Sequence, residues 1–297
     1  MSSTITSPLA KDLLAMPGVH QGFAPVSANE GRYVFVGRPG CGKSTILHSN
    51  PRAFILDTEG GGNTVDDPQA GVYVVPKSVP PGKQAAAYRE MAEKIIGRKR
   101  SGKTDIEMLG IDTIDKLIDI FLRDFCLNHN IDDPLEYKDG NGNAYTIVRK
   151  EVFGILDSAH RAGLGWTMLA HVTPKTKQVG GETKIIQSLA VSDSFAIAIR
   201  RECEHMLFME FASRTWVEPG IKKAVLGKIV EIPGETKKEV IRVLRTIPGG
   251  VWKGETTNDV KIRVPFPDKT VVPKIGGWAS LSQAYETAVQ ELTGEKK

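Results

Sequence analysis

The chain has 297 residues, a length for one or two domains. Apolar residues at 40% and charged residues at 25% give an ordinary globular composition with ample material for a core. A net charge of +4 is too mild to argue for a polyanionic partner, since a local basic patch matters more than the sum. Cys41, Cys126 and Cys203 have no metal spacing, and their odd number argues against a disulfide framework.

Residues 1–30 read as a leader of small and polar residues. The start, MSSTITSPLAKDLLAMPG, lacks a basic segment, and Lys11-Asp12 interrupt its apolar run, so no signal peptide is expected. No stretch approaches the ~20 apolar residues that span a bilayer. No membrane partner and a cytoplasmic location are therefore the expectation.

RYVFVG (32–37) is a short apolar strand, and GRPGCGKST (37–45) follows it. Gly37-x-x-x-x-Gly42-Lys43-Ser44 meets the Walker A spacing in full. Glycines at 37, 40 and 42 let the backbone turn tightly and aim N–H groups at phosphates. The candidate nucleotide-binding residues are Gly37, Arg38, Pro39, Gly40, Cys41, Gly42, Lys43, Ser44 and Thr45. Lys43 would reach the β/γ oxygens and act in catalysis, and Ser44 would bind Mg²⁺. Cys41 reads as a small space-filling residue.

AFILD (53–57) and VYVVP (72–76) continue the strands. Tyr88, Met91, Ala92, Ile95 and Ile96 mark one helix face; IEMLGID (106–112) is a strand. Ile114, Leu117, Ile118, Phe121, Leu122 and Phe125 trace a second helix, and a polar loop fills 128–143. Val148, Val152, Ile155, Leu156 and Ala159 trace a third helix before the strand WTMLA (166–170). Alternating strands and helices argue for a parallel α/β sheet covered on both faces. Beyond about residue 203 the pattern changes to HMLFMEF (205–211), AVLGKIVEI (224–232) and KEVIRVLRTI (238–247), with short links that favour antiparallel pairing. Residues 248–277 read as an irregular lobe, and Ser280 as the cap of a final helix over 281–293.

Three further side chains complete a candidate site. Asp112 ends a buried strand in the manner of a Walker B carboxylate and would hold Mg²⁺. Glu59, in FILDTEGGG (54–62), is placed to polarise a water against the γ-phosphate. Asp57 competes for that role but lies closer to its strand and more readily orients the loop. His171 ends WTMLA, the strand expected between the Walker A and Walker B strands, and would sense hydrolysis there.

The set GRPGCGKST, ILDTEGGG, MLGIDTIDKL and MLAHVTP resembles the RecA-like core ATPases. It looks closest to phage-encoded P-loop proteins that include the single-strand-annealing ATPases of the Sak type. The resemblance covers residues 31–211. It implies a RecA-like ATPase core there; 1–30 as leader and 212–297 as a β-rich extension ending in a helix are read from the sequence pattern, and the extension carries no family motif. It also implies ATP and Mg²⁺ as cofactors, single-stranded DNA as a partner, and work in DNA recombination or strand annealing. DNA-stimulated ATPase activity belongs to the same expectation. A homo-oligomer, ring or filament, follows too, with a phage or host single-strand-binding protein as a compatible partner and the host cytoplasm as the compartment. His171 departs from RecA, which carries glutamine there. The segment HVTPKTKQVGGETKIIQ (171–187) would be the mobile DNA-binding loop, with Lys175, Lys177 and Lys184 meeting phosphates. Lys228, Arg242 and Arg245 are candidates for a finger residue reaching a neighbour's site. A small-molecule kinase and a regulatory nucleotide switch without DNA binding are the competing functions; the acidic 128–147 loop ill suits a kinase lid, and Glu59 argues against a switch with little turnover.

Overall fold

Residues 27–139, 142–179, 182–218, 221–225, 228–232, 235–245, 269–273 and 276–293 are described by a computed structural model. The first half contains β1 (Arg32–Gly37), α1 (Lys43–His48), β2 (Ala53–Asp57), β3 (Gly71–Val74), α2 (Gln84–Arg100), β4 (Met108–Asp112) and α3 (Ile114–His129). A two-rung hairpin, β5 (Lys138–Asp139) and β6 (Gly142–Asn143), leads into α4 (Ala144–Arg161) and β7 (Gly165–Ala170). Then come β8 (Val172–Val179), β9 (Glu182–Leu189), α5 (Asp193–Glu202) and β10 (His205–Val217). The chain continues through β11 (Ile221–Val225), β12 (Lys228–Ile232), β13 (Thr236–Arg245), β14 (Lys269–Val272) and α6 (Gly277–Thr293).

The central sheet has eight strands in the order β14-β13-β10-β1-β7-β4-β2-β3. From β10 to β3 every neighbouring pair is parallel. Strands β13 and β14 extend that sheet antiparallel, whereas β11 and β12 pair with each other in a separate two-stranded sheet. This is the expected α/β fold, with a mostly parallel sheet flanked by helices.

Side chains alternate across the sheet with the period of two that strands impose. Val34, Val36, Leu109, Ile111, Trp166, Met168, Met206 and Phe208 face a core covered by α2, α3, α4 and α5. Tyr33, Phe35, Met108, Leu169, Leu207 and Met209 face a second core covered by α1 and α6. Trp278, Leu281 and Tyr285 of α6 are buried in that second core.

Most predicted elements stand where the sequence pattern puts them, and four differ. In place of one strand over 224–232, Ile221–Val225 and Lys228–Ile232 pair antiparallel, Val225 with Lys228. Helix α6 begins at Gly277, so Ser280 lies inside it; the Trp278 N–H is capped from outside by Ser49 Oγ at 2.9 Å. Val172–Val179 and Glu182–Leu189 pair as a two-stranded ribbon within the segment expected as a loop. Helix α5 is additional, a ten-residue segment with Phe195, Ala196 and Ile199 buried. Residues 1–26, most of the leader, and 246–268, most of the expected irregular lobe, lie outside the described residues. Among the described residues no helix is long and apolar enough to cross a membrane.

Helix α2 takes its N-terminal cap from another helix. Asp124 of α3 is buried, and its carboxylate accepts from Gly82 N at 2.9 Å and Ala85 N at 2.7 Å. Asp124→Ala would strand both donors, so it is expected to cost roughly 2–3 kcal/mol. Urea unfolding checks this: the midpoint should fall with an unchanged slope, and Asp124→Asn should lie between the two.

Candidate functional site

The loop between β1 and α1 starts where a side chain cannot. A Cβ on Gly37 would sit 2.6 Å from the Met209 carbonyl oxygen and 2.7 Å from Cys41 Sγ. Gly40 and Gly42 hold φ values of 75° and 100°, which glycine adopts at least cost. Cys41 is a free, buried thiol whose pKa is pushed up by burial, in keeping with a packing role. Arg38, Pro39 and Gly40 are exposed, while Ser44 and Thr45 open α1 half-buried.

Lys43 folds back over the loop, with Nζ donating to the carbonyl oxygens of Gly37 at 2.9 Å and Arg38 at 3.0 Å. Burial pushes its pKa down, opposed by Cys41 and by the carboxylates of Asp112, Asp115 and Glu59. Three acidic groups thus act on one ammonium. That surplus of negative charge, with Ser44 and Asp112 supplying the hard oxygen donors Mg²⁺ prefers, fits a divalent cation at the site.

The strands end level around this loop. Val36 pairs with Ala170, Leu169 with Asp112, and Asp112 with Asp57. Strand β7 lies between β1 and β4, as the sequence predicts. Thr58 then ties the two carboxylate-bearing ends together: its N–H donates to Asp112 O at 2.7 Å, and its Oγ1 accepts from Thr113 N at 3.0 Å.

Asp57 and Glu59 divide their work by geometry. The Asp57 carboxylate collects the N–H groups of Glu59, Gly60 and Gly62 at 3.0, 2.7 and 2.9 Å. It therefore orients the turn. Glu59 keeps its carboxylate 42% exposed; among the described residues it accepts a 3.3 Å bond from Thr113 Oγ1 and stands 3.9 Å from His171 Nδ1.

Two partners escaped the sequence reading. Asp115, in the first turn of α3, holds His171 twice: Oδ2 lies 3.0 Å from Nδ1, and Oδ1 accepts the backbone N–H at 3.2 Å. Burial alone would raise the Asp115 carboxyl, but the hydrogen bonds and charge of His171 more than offset it and hold it low. Glu59, Asp115 and His171 bring their ligand atoms within 4.8 Å of one another. His48, fully buried on α1, places Nε2 3.2 Å from Asp112 Oδ2. Thr113, not Asp112, is the N-cap of α3, which leaves Asp112 facing the phosphate-loop helix. No spacing rule could have found these contacts, because the partners are 56 and 64 residues apart.

The remaining predicted residues lie at the edges. In the β8–β9 ribbon Lys177 pairs with Lys184, and Lys175 pairs with Ile186. His171 sits at the ribbon's root, its carbonyl oxygen accepting from Ala190 N at 2.9 Å. The side chains of Lys175, Lys177, Lys184 and Lys228 lie outside what the structure describes, as do Gly180 and Gly181. Arg245 is held by Glu210 at 2.6 Å on the neighbouring strand. Arg242 lies against Gly42 of its own chain. The basic run Arg98-Lys99-Arg100 closes the last turn of α2, where the helix dipole favours cations.

Comparison with known proteins adds a family. No curated protein matches the sequence. Among solved structures, the flagellar accessory protein FlaH from Methanocaldococcus jannaschii aligns over 84% of this chain and 88% of its own, with 8% identity and a TM-score of 0.36. The family model described as "AAA domain" matches residues 29–249, which takes in the phosphate loop, Glu59, Asp112 and His171. The chain belongs to this AAA domain family and is a P-loop nucleoside triphosphatase by descent.

Proposed function

We infer that the protein hydrolyses ATP with Mg²⁺, binds single-stranded DNA as a homo-oligomer, and acts in phage-type recombination or strand annealing. One observation carries the link between nucleotide and DNA. Glu59, His171 and Asp115 form a contiguous chain that ends at the root of the lysine-bearing ribbon.

The chain's own residues supply a route for hydrolysis. Lys43 exchanges its two carbonyl partners for β/γ oxygens of the triphosphate. Asp57 holds the turn rigid, and Glu59 accepts the proton of a water aligned on the γ-phosphorus. Ser44 and Asp112 would hold Mg²⁺, which would supply neutralisation of the charge that develops on the triphosphate. His171 lies within reach of Glu59, so loss of the γ-phosphate would be felt at the ribbon root through one imidazole. ATP hydrolysis measured with and without single-stranded DNA, double-stranded DNA and RNA tests the reading. Stimulation by single strands supports it; turnover indifferent to all three overturns the DNA assignment.

Glu59→Gln is expected to keep ATP affinity while lowering turnover about 10²-fold or more, as loss of a positioned base does. Wild-type turnover in that variant would move the base elsewhere.

His171→Ala should uncouple the two ligands. Where ATP tightens DNA binding, DNA must tighten ATP binding by the same factor, and the variant should bring that factor close to one. Asp115→Asn should do the same in part, because it leaves the ring in place but loosens its orientation. Titrating each ligand in the presence of the other gives the factor directly.

Replacing Lys175, Lys177 and Lys184 together by Ala should weaken single-strand binding at every sequence. The slope of log affinity against log salt should flatten by roughly 0.7 per contact, about two for three contacts. An unaltered slope would place the strand elsewhere on the surface.

A further inference from the structure

The register of the sheet carries Arg242 to the phosphate loop of its own chain. Gly37, the first loop residue, pairs with Met209, and Met209 pairs with Leu244. One step further along the same sheet face, Phe211 pairs with Arg242, which in turn pairs with the buried Val272. Arg242 therefore projects from the face that bears the loop, one pleat beyond the level at which the loop begins. Its side chain lies along Gly42: a Cβ built there would be 2.9 Å from Arg242 Cδ, 3.0 Å from Nε and 3.1 Å from Nη1.

One nitrogen of the guanidinium stands out at this position. Arg242 Nη1 is shut off from solvent and makes no hydrogen bond among the described residues. A buried cationic donor without an acceptor is costly, and such groups are kept where a ligand supplies the missing anion. The anion that belongs beside Gly42 is a phosphate group of the bound nucleotide.

Direction follows from the strand order. Asp112 and Glu59 reach the loop from β4 and β2 on one side of β1, and Arg242 reaches it from β13 on the other. The hydrolytic end of the nucleotide lies toward Glu59. Arg242 thus meets the opposite, nucleoside end of the phosphate chain, where its strand partner Phe211 shows a ring 55% exposed.

We propose that Arg242 binds the α/β part of the nucleotide's phosphate chain in cis, from the side away from Glu59, as an affinity residue and not as a finger offered to a neighbouring subunit. The proposal rests on the nucleotide-binding reading of the phosphate loop and not on DNA binding.

Direct binding of ATP and ADP to the full chain tests it, with Arg242→Met, which keeps the aliphatic packing, Arg242→Ala, and Lys43→Ala as the reference for the loop. Both Arg242 variants should raise Kd for ATP and ADP by the same factor, about tenfold to a hundredfold, the size expected for a charge-assisted bond. Arg242→Lys should recover part of it. Loss confined to ATP would overturn the placement, because it would put the residue at the γ-phosphate. Wild-type affinity in Arg242→Met with a lowered thermal midpoint would overturn it too, leaving a structural residue. Mixing Arg242→Ala with Lys43→Ala subunits decides cis against trans. Restored hydrolysis in the mixture would mean that Lys43→Ala subunits lend their arginine, which the cis assignment forbids. Unchanged affinity in Lys43→Ala would signal failure of the phosphate-loop reading itself.

Discussion

Backbone pairing among the parallel strands is the constraint on which the site depends. Because β1, β7, β4 and β2 run in one direction and in a fixed register, their C-terminal ends fall on one line. Gly37, His171, Asp112 and Asp57 each stand at or just past such an end. A slip of one residue in any pair would turn a buried apolar side chain toward the wrong core and carry a site carboxylate away with it. The two cores therefore hold the site as firmly as any contact within it.

Within that frame the site is organised by neutralising charges in pairs. Asp57 is occupied by three backbone N–H groups, Asp112 by His48, and Asp115 by His171. Glu59 is the carboxylate left most open, and Lys43 the ammonium satisfied only by carbonyls of its own loop. Burial costs a charged group dearly unless it is paired, so the two least committed groups are those a substrate would engage. The same logic singles out Arg242 on the opposite side of the loop.

What the sequence showed follows from how local each signal is. The phosphate loop, the strands flanking it and the α2, α3 and α4 faces were legible because spacing within nine to eighteen residues carries them. The hold of Asp57 on its own turn was legible for the same reason. His48, Asp115 and Asp124 were not, because each acquires its role from a partner on another element. Ser280 misled because a Ser before a helical pattern is a good local cap, whereas Ser49 reaches the Trp278 N–H through the fold. Arg242 stood among the candidates for a finger residue, and only the register of β13 on β10 turns it toward its own loop.

Helix α6 also sets an order of assembly. Trp278 bonds Ser49 Oγ and Asn29 Oδ1, and Asn50 bonds the same Asn29 oxygen, so the last described helix is fastened to the segments bracketing β1 and α1. During synthesis these early segments leave the ribosome with one face of their sheet uncovered. That face closes only when residues 277–289 arrive. The apolar support beneath α1 is then complete, and with it the platform of the phosphate loop. A product lacking α6 would leave apolar sheet surface beside α1 open, the kind of surface that chaperones and proteases act on.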